Sequence, residues 1–217
     1  MLRDSRFCLA LWPLAALLAV AQPPAGVPDL QTSELATGPY SRMRMLLEKT
    51  IFSIDVLTVD VQVDEPTRQR FRAVADGQPY SRARADRIAG AAIDAQQLYV
   101  QLEFVRDVPF NRWVDGVRDS LERAWRAGLI REEHYRSVSD SLPRWFQAAV
   151  ERGFEAGDRI LYRGYPDRLR TLLVSRAGDV LLDQTDRGTD PRRALLAGYF
   201  APGTDFREPL IRSLFVR

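Results

Sequence analysis

The chain has 217 residues, 46% of them hydrophobic and 28% charged, which suffices for one domain with a sizeable core. A formal net charge of +2 excludes the positive excess on which nucleic-acid binding rests. One cysteine and one histidine exclude an intrachain disulfide framework and most metal sites, and they leave no spare histidine for a Ser-His-Asp arrangement.

In chain order, Arg3 and Arg6 open a basic segment, and Phe7 to Ala21 (FCLALWPLAALLAVA) is apolar and uncharged. It closes on Ala19-Val20-Ala21, a small-x-small cleavage pattern, and is short for a span of about twenty residues. Residues 1–21 therefore read as a secretory signal peptide, with the mature protein periplasmic or secreted; an uncleaved anchor is the alternative. Cleavage would remove Cys8, the only cysteine. Residues 22–42 begin QPPAGVPDLQTSELATGP and read as a flexible leader, and 43–217 as the folded domain. Lys49 is the only lysine among many arginines, which reads as the codon bias of a GC-rich bacterial genome rather than as recognition chemistry.

The stretch KTIFSIDVLTVDVQV (49–63) alternates cleanly from Leu57, with Val59, Val61 and Val63 on one face and Thr58, Asp60 and Gln62 on the other. That is a half-buried strand with a bulge in its first half. Helices are predicted near 66–75 and 82–95, split by Gly77-Gln78-Pro79, and a second strand over 97–106. Asp107 and Pro109 suit the start of a helix. Phe110, Trp113, Val114, Val117, Leu121 and Trp125 make one apolar stripe, with Gly128 as its stop, and the stripe places Trp113 and Trp125 in the core. A further helical region covers 131–152, with Ser141 capping before Pro143. Gly157-Asp158 turns the chain into a strand, 168–182 forms a hairpin around Ala177-Gly178-Asp179, and helices cover 191–201 and 208–215. Strands and helices come in blocks, which is an α+β pattern around an antiparallel sheet.

Five segments in order resemble the chalcone isomerase-like family: the strand at 51–61, LEFVRDV (102–108), WVDGVRDSLERAW (113–125), FEAGDRILYRGYPDRLRTLLVSRAGDV (154–180) and ALLAGYFAPGTDFREPLIRSLF (194–215). The resemblance covers about residues 44–215. It implies an open-faced β-sandwich, a large antiparallel sheet with helices packed on one face. In plant isomerases of this family a cleft between sheet and helices binds a flavonoid, and an arginine, a threonine, a tyrosine and an asparagine close a ring by intramolecular Michael addition. Relatives that lack those residues include fatty-acid binders. Counted on this chain, the tyrosine position falls on Trp113, the asparagine on Ser120, the threonine near Asp55 and the arginine on Leu47, with Arg44 three positions away.

The resemblance thus implies a non-catalytic domain, with Arg44, Trp113 and Ser120 as ligand-binding residues; Lys49 is added to them as an amine at the cleft, with a strand-edge lysine as the alternative. No catalytic residue, metal or cofactor is assigned. The expected partner is a small apolar, carboxylate or fatty-acid-like ligand, with no nucleic acid and no stable membrane span after cleavage. Two other readings stay open: an isomerase or lyase with an altered site, and a structural or partner-binding protein whose cleft is filled. His134, among the charges of REEHY, reads as a surface histidine, and DQTDRGTD (183–190) as a capping loop rather than a calcium loop. Tyr162 and Tyr165 read as surface stacking partners of Arg163.

Overall fold

The computed structural model describes residues 41–49 and 54–215. The signal peptide and most of the leader expected from the sequence lie outside them. A six-stranded antiparallel sheet in the order β1 to β6 carries the fold, each strand bonded to its neighbours in sequence. The strands are β1 (Ser41–Lys49), β2 (Ile54–Val63), β3 (Leu98–Phe104), β4 (Arg159–Tyr165), β5 (Arg168–Val174) and β6 (Val180–Arg187). Helices α1 (Glu65–Ala75) and α2 (Arg82–Ile93) connect β2 to β3. Helices α3 (Phe110–Arg126), α4 (Glu132–Trp145) and α5 (Gln147–Val150) connect β3 to β4, while α6 (Asp190–Phe200) and α7 (Arg207–Arg212) follow β6.

Because side chains alternate along a strand, register decides what each face presents. One row across the helix-facing side reads Met45, Val59, Leu102, Ile160, Leu173 and Leu182, apolar throughout. The next reads Met43, Val61, Val100, Tyr162, Thr171 and Gln184. The first row is therefore hydrocarbon across the whole sheet, while the second is hydrocarbon on β1 to β3 and turns polar from β4 to β6. On the opposite face, Arg42 and Arg44 pair with Asp60, and Arg170 with Asp183.

Four sequence expectations are corrected. Residues 41 and 42, placed in the leader, belong to β1, where Met43, Met45 and Leu47 are buried between exposed Arg42, Arg44 and Leu46. Helix α3 starts at Phe110 without Asp107 as its cap, because Val108 is held in a bridge to Phe154; the Asp107 carboxylate accepts the N–H of Ala156 at 2.9 Å instead. Ser141 does not cap a helix, since α4 runs through both Ser141 and Pro143. Proline leaves the carbonyl four residues back without its helical donor, and Arg118 Nη2 supplies one to Ser139 O at 3.2 Å. Residues 183–187, read as a loop, are the second half of β6, with Asp183 and Asp186 on opposite faces.

Asp64 fastens the helical insertion to the sheet. Its carboxylate caps α1 through the Thr67 N–H at 2.9 Å and accepts the N–H groups of Gln96 and Gln97, both at 2.8 Å, at the entry to β3. Burial alone would raise its pKa, but hydrogen bonds from the Thr67 side chain and the backbone of Gln97, Thr67 and Gln96 outweigh burial and hold it below the usual value. A depressed carboxyl contributes stability that is present above its unfolded pKa of about 4 and lost as pH falls through the folded value. Asp64→Asn is therefore expected to cost about 1.5–3 kcal/mol at pH 7 and to flatten the loss of stability on acidification. Urea unfolding midpoints at pH 7 and pH 3 check this; equal pH dependence in both proteins would refute it.

Candidate functional site

A cavity of about 860 Å³ lies between the helix-facing side of the sheet and helices α3 and α6. Its existence follows from small residues. Helix α3 presents Gly116 and Ser120 to it, and α6 presents Ala194 and Gly198, each pair four apart and so on one helix face. Two helices with missing side chains at facing positions cannot fill the gap above the sheet. The walls run from Leu47 on β1 to Asp186 on β6, five strand spacings or about 24 Å across the sheet.

The β2–β3 end is hydrocarbon, with Leu57, Leu102 and Phe104 on its walls. Trp113 lines this end and is 7% exposed. Its ring packs against Phe146 at 4.6 Å and Phe154 at 4.9 Å between centroids, and Phe154 stacks on Phe104 at 4.4 Å. Trp113 is thus both core and wall, and it does not plug the space. Trp125, placed in the core by its stripe, is instead half-buried and stacked on Tyr135 of α4 at 5.5 Å.

Of the other expected ligand residues, Ser120 lines the cavity, with its hydroxyl donating to Gly116 O at 2.9 Å. Arg44 does not belong to the site. It projects from the other face of the sheet, pairs with Asp60 at 3.2 Å and is exposed, because alternation along β1 turns Met43, Met45 and Leu47 inward and Arg44 out. Leu47, at the counted arginine position, is on the wall and 6% exposed. Lys49 ends β1, and its side chain and that of Asp55 lie outside the described residues.

The polar part of the site was not read from the sequence. Tyr162 of β4, Thr171 of β5 and Tyr199 of α6 all line the cavity. Tyr162 and Thr171 are cross-strand partners, so both project to the same side. Burial pushes the Tyr162 phenol well up, and burial together with the neighbouring Tyr162 does the same to Tyr199. Both stay neutral across the physiological range. The alternation of Ile160 with Tyr162 and of Leu173 with Thr171 was the available signal, once hairpin register was known. His134 also departs from its surface reading: it is half-buried on the cavity wall, and its Nε2 is enclosed without a hydrogen-bond partner. Tyr165 does stack with an arginine, Arg168, at 4.2 Å, but Tyr162 points inward. Among the described residues, no group of histidine, cysteine and carboxylate side chains is placed to hold a metal ion, and no helix is long and apolar enough to cross a membrane.

No protein-family model matches this chain, and no curated protein matches it by sequence. Among solved structures, it is similar to a fatty-acid binding protein of Arabidopsis thaliana, with a TM-score of 0.52 at 13% identity, over 81% of this chain and 86% of that one. The fold is chalcone isomerase-like. At this identity the likeness extends to the architecture, an open antiparallel sheet with a helical layer on one face. Within the chalcone isomerase-like fold the cavity lies between these two layers, where the sequence resemblance had placed a cleft.

Proposed function

We propose that the protein holds an elongated, largely apolar small molecule of fatty-acid-like shape between α3, α6 and the sheet, without transforming it, and does so outside the cytoplasm after loss of residues 1–21. The observation that carries this reading is the open cavity itself. Its volume of about 860 Å³ falls in the range of small-molecule pockets, and walls drawn from β1 across to β6 suit a chain rather than a compact solute. The Arabidopsis neighbour is a fatty-acid binding protein, which supports the same class of ligand. Leu47 and Trp113 stand where the resemblance puts the isomerase arginine and tyrosine, and neither a hydrocarbon nor an indole replaces a guanidinium or a phenol. The packing of Trp113 sideways into the aromatic cluster speaks against a filled cleft.

One experiment tests the reading. Protein is purified from the exported fraction of its producing cells, sequenced from its N-terminus, extracted with organic solvent and titrated with a fluorescent fatty acid. The N-terminus is expected near residue 22, and a chain-bearing molecule in the extract. Gly116→Phe is expected to abolish probe binding while the protein stays folded. A Cβ at Gly116 meets no atom within 4 Å, and phenylalanine has a better helix propensity than glycine. Undiminished binding by this variant would overturn the cavity as the site, and an intact Met1 would overturn export with cleavage.

A further inference from the structure

We infer that the ligand carries a neutral oxygen function, a hydroxyl, carbonyl or ester, which pairs with the hydroxyls of Tyr162, Thr171 and Tyr199 at the polar end of the cavity. The inference rests on the cavity being the binding site and adds the chemistry of the ligand's head. Three observations lead to it.

The first is hydrogen-bonding capacity left over. Thr171 and Tyr199 are each more than nine-tenths buried. Among the described residues, none of the three hydroxyls makes a hydrogen bond to the protein. Nor are they sealed off: the enclosed and unpartnered side-chain atoms belong to Asp60, Gln62, His134, Ser139 and Arg192. Tyr162, Thr171 and Tyr199 therefore open into the cavity that they line. Buried hydroxyls are otherwise paired, so their partner is a molecule in that space.

The second is their grouping. Tyr162 and Thr171 are register partners on adjacent strands, and Tyr199 lines the same cavity from α6. Two strands and one helix thus supply one cavity with hydroxyl donors and acceptors that carry no formal charge.

The third is the placement of charge. The arginines on the cavity wall, Arg106, Arg112, Arg123 and Arg187, are all exposed and so belong to its rim. They are outnumbered there by five aspartates. A carboxylate meets no net positive field at the mouth and no buried cation inside, so bringing it to the phenols would desolvate an unpaired charge. A neutral oxygen takes the same donors without that cost.

The test compares an alkane, a primary alcohol, a methyl ester and a free acid of one chain length, each titrated into the full mature protein at neutral pH. The alcohol and ester are expected to bind about tenfold more tightly than the acid, the acid being held back by the cost of burying its charge. Tyr162→Phe keeps the ring and removes the hydroxyl. It is expected to weaken alcohol and ester binding about tenfold and to leave the alkane unchanged, the signature of one lost hydrogen bond. Thr171→Val is expected to act in the same direction. An acid that binds more tightly than its ester, or a Tyr162→Phe variant indistinguishable from wild type for every probe, overturns the inference while leaving the cavity as a binding site. Failure of all four probes to bind overturns both.

Discussion

Replacing Trp113 with alanine is expected to destabilise the protein by about 3–5 kcal/mol, the range for deleting a large buried aromatic side chain. The indole touches Phe146 and Phe154, and through Phe154 it meets Phe104 at the end of β3. Its removal leaves these rings without a neighbour on one side and joins the vacated volume to the cavity. The site cannot collapse to recover the loss, because the space beside it is already open. Trp113→Phe retains most of the contact and is expected to lose less than half as much. Urea or thermal unfolding of both variants checks this. A loss below about 1 kcal/mol for the alanine variant would mean that the cluster is not part of the cooperative core.

Much of this core was legible in advance because period and residue type agree. The stripe Phe110, Trp113, Val114, Val117 and Leu121 has helical spacing, and Leu57 to Val63 has strand spacing, so each announces both its element and its inner face. What failed was decided by tertiary contacts. Asp107 has the chemistry of a cap, but the bridge between Val108 and Phe154 pulls it outside the helix. Trp125 shares the stripe's spacing, but α4 offers Tyr135 as a stacking partner at the helix end. The cavity was harder still. Trp113 and Ser120 could be placed by counting from a resemblance, whereas Arg44 sits on the wrong side of a strand whose alternation, Met-Arg-Met, is easily passed over. Tyr162, Thr171 and Tyr199 come together only through sheet register and helix docking, which no single segment encodes.

The second large effect is expected at Asp158, whose residue is 0% exposed. Its carboxylate accepts the Glu155 N–H and the Arg176 N–H, both at 3.0 Å, and pairs with Arg152 at 2.8 Å. Its own carbonyl accepts the N–H of Phe104 at 3.0 Å, and Gly157 N–H returns to Phe104 O at 2.7 Å. The Gly157-Asp158 pair therefore ties together the end of β3, the start of β4 and the turn between β5 and β6. Gly157 holds a φ of +91°, which suits glycine, and a Cβ there would lie 3.0 Å from Arg176 Cβ. Asp158→Ala leaves the exposed Arg152 without its ion partner and strands two N–H donors, so a loss of about 2–4 kcal/mol is expected. Asp158→Asn keeps an acceptor and is expected to fall between alanine and wild type. The decisive measurement is the order of the three unfolding midpoints. An asparagine variant as stable as wild type would show that the charge itself contributes nothing.

The sheet's last strand has a consequence for solubility. In the described sheet β6 is an outer strand, and an outer strand offers unpaired backbone groups to any other chain that meets it. It begins with exposed Val180 and Leu181, a combination that invites self-association. The residues that follow oppose it: Asp183, Asp186 and Arg187 place charges on both faces of the strand, and Gly188 with a φ of +96° turns the chain away at its end. An incoming strand would have to dehydrate those charges beside every new backbone hydrogen bond. The edge is thereby guarded against aggregation by the same acidic stretch that borders the cavity mouth.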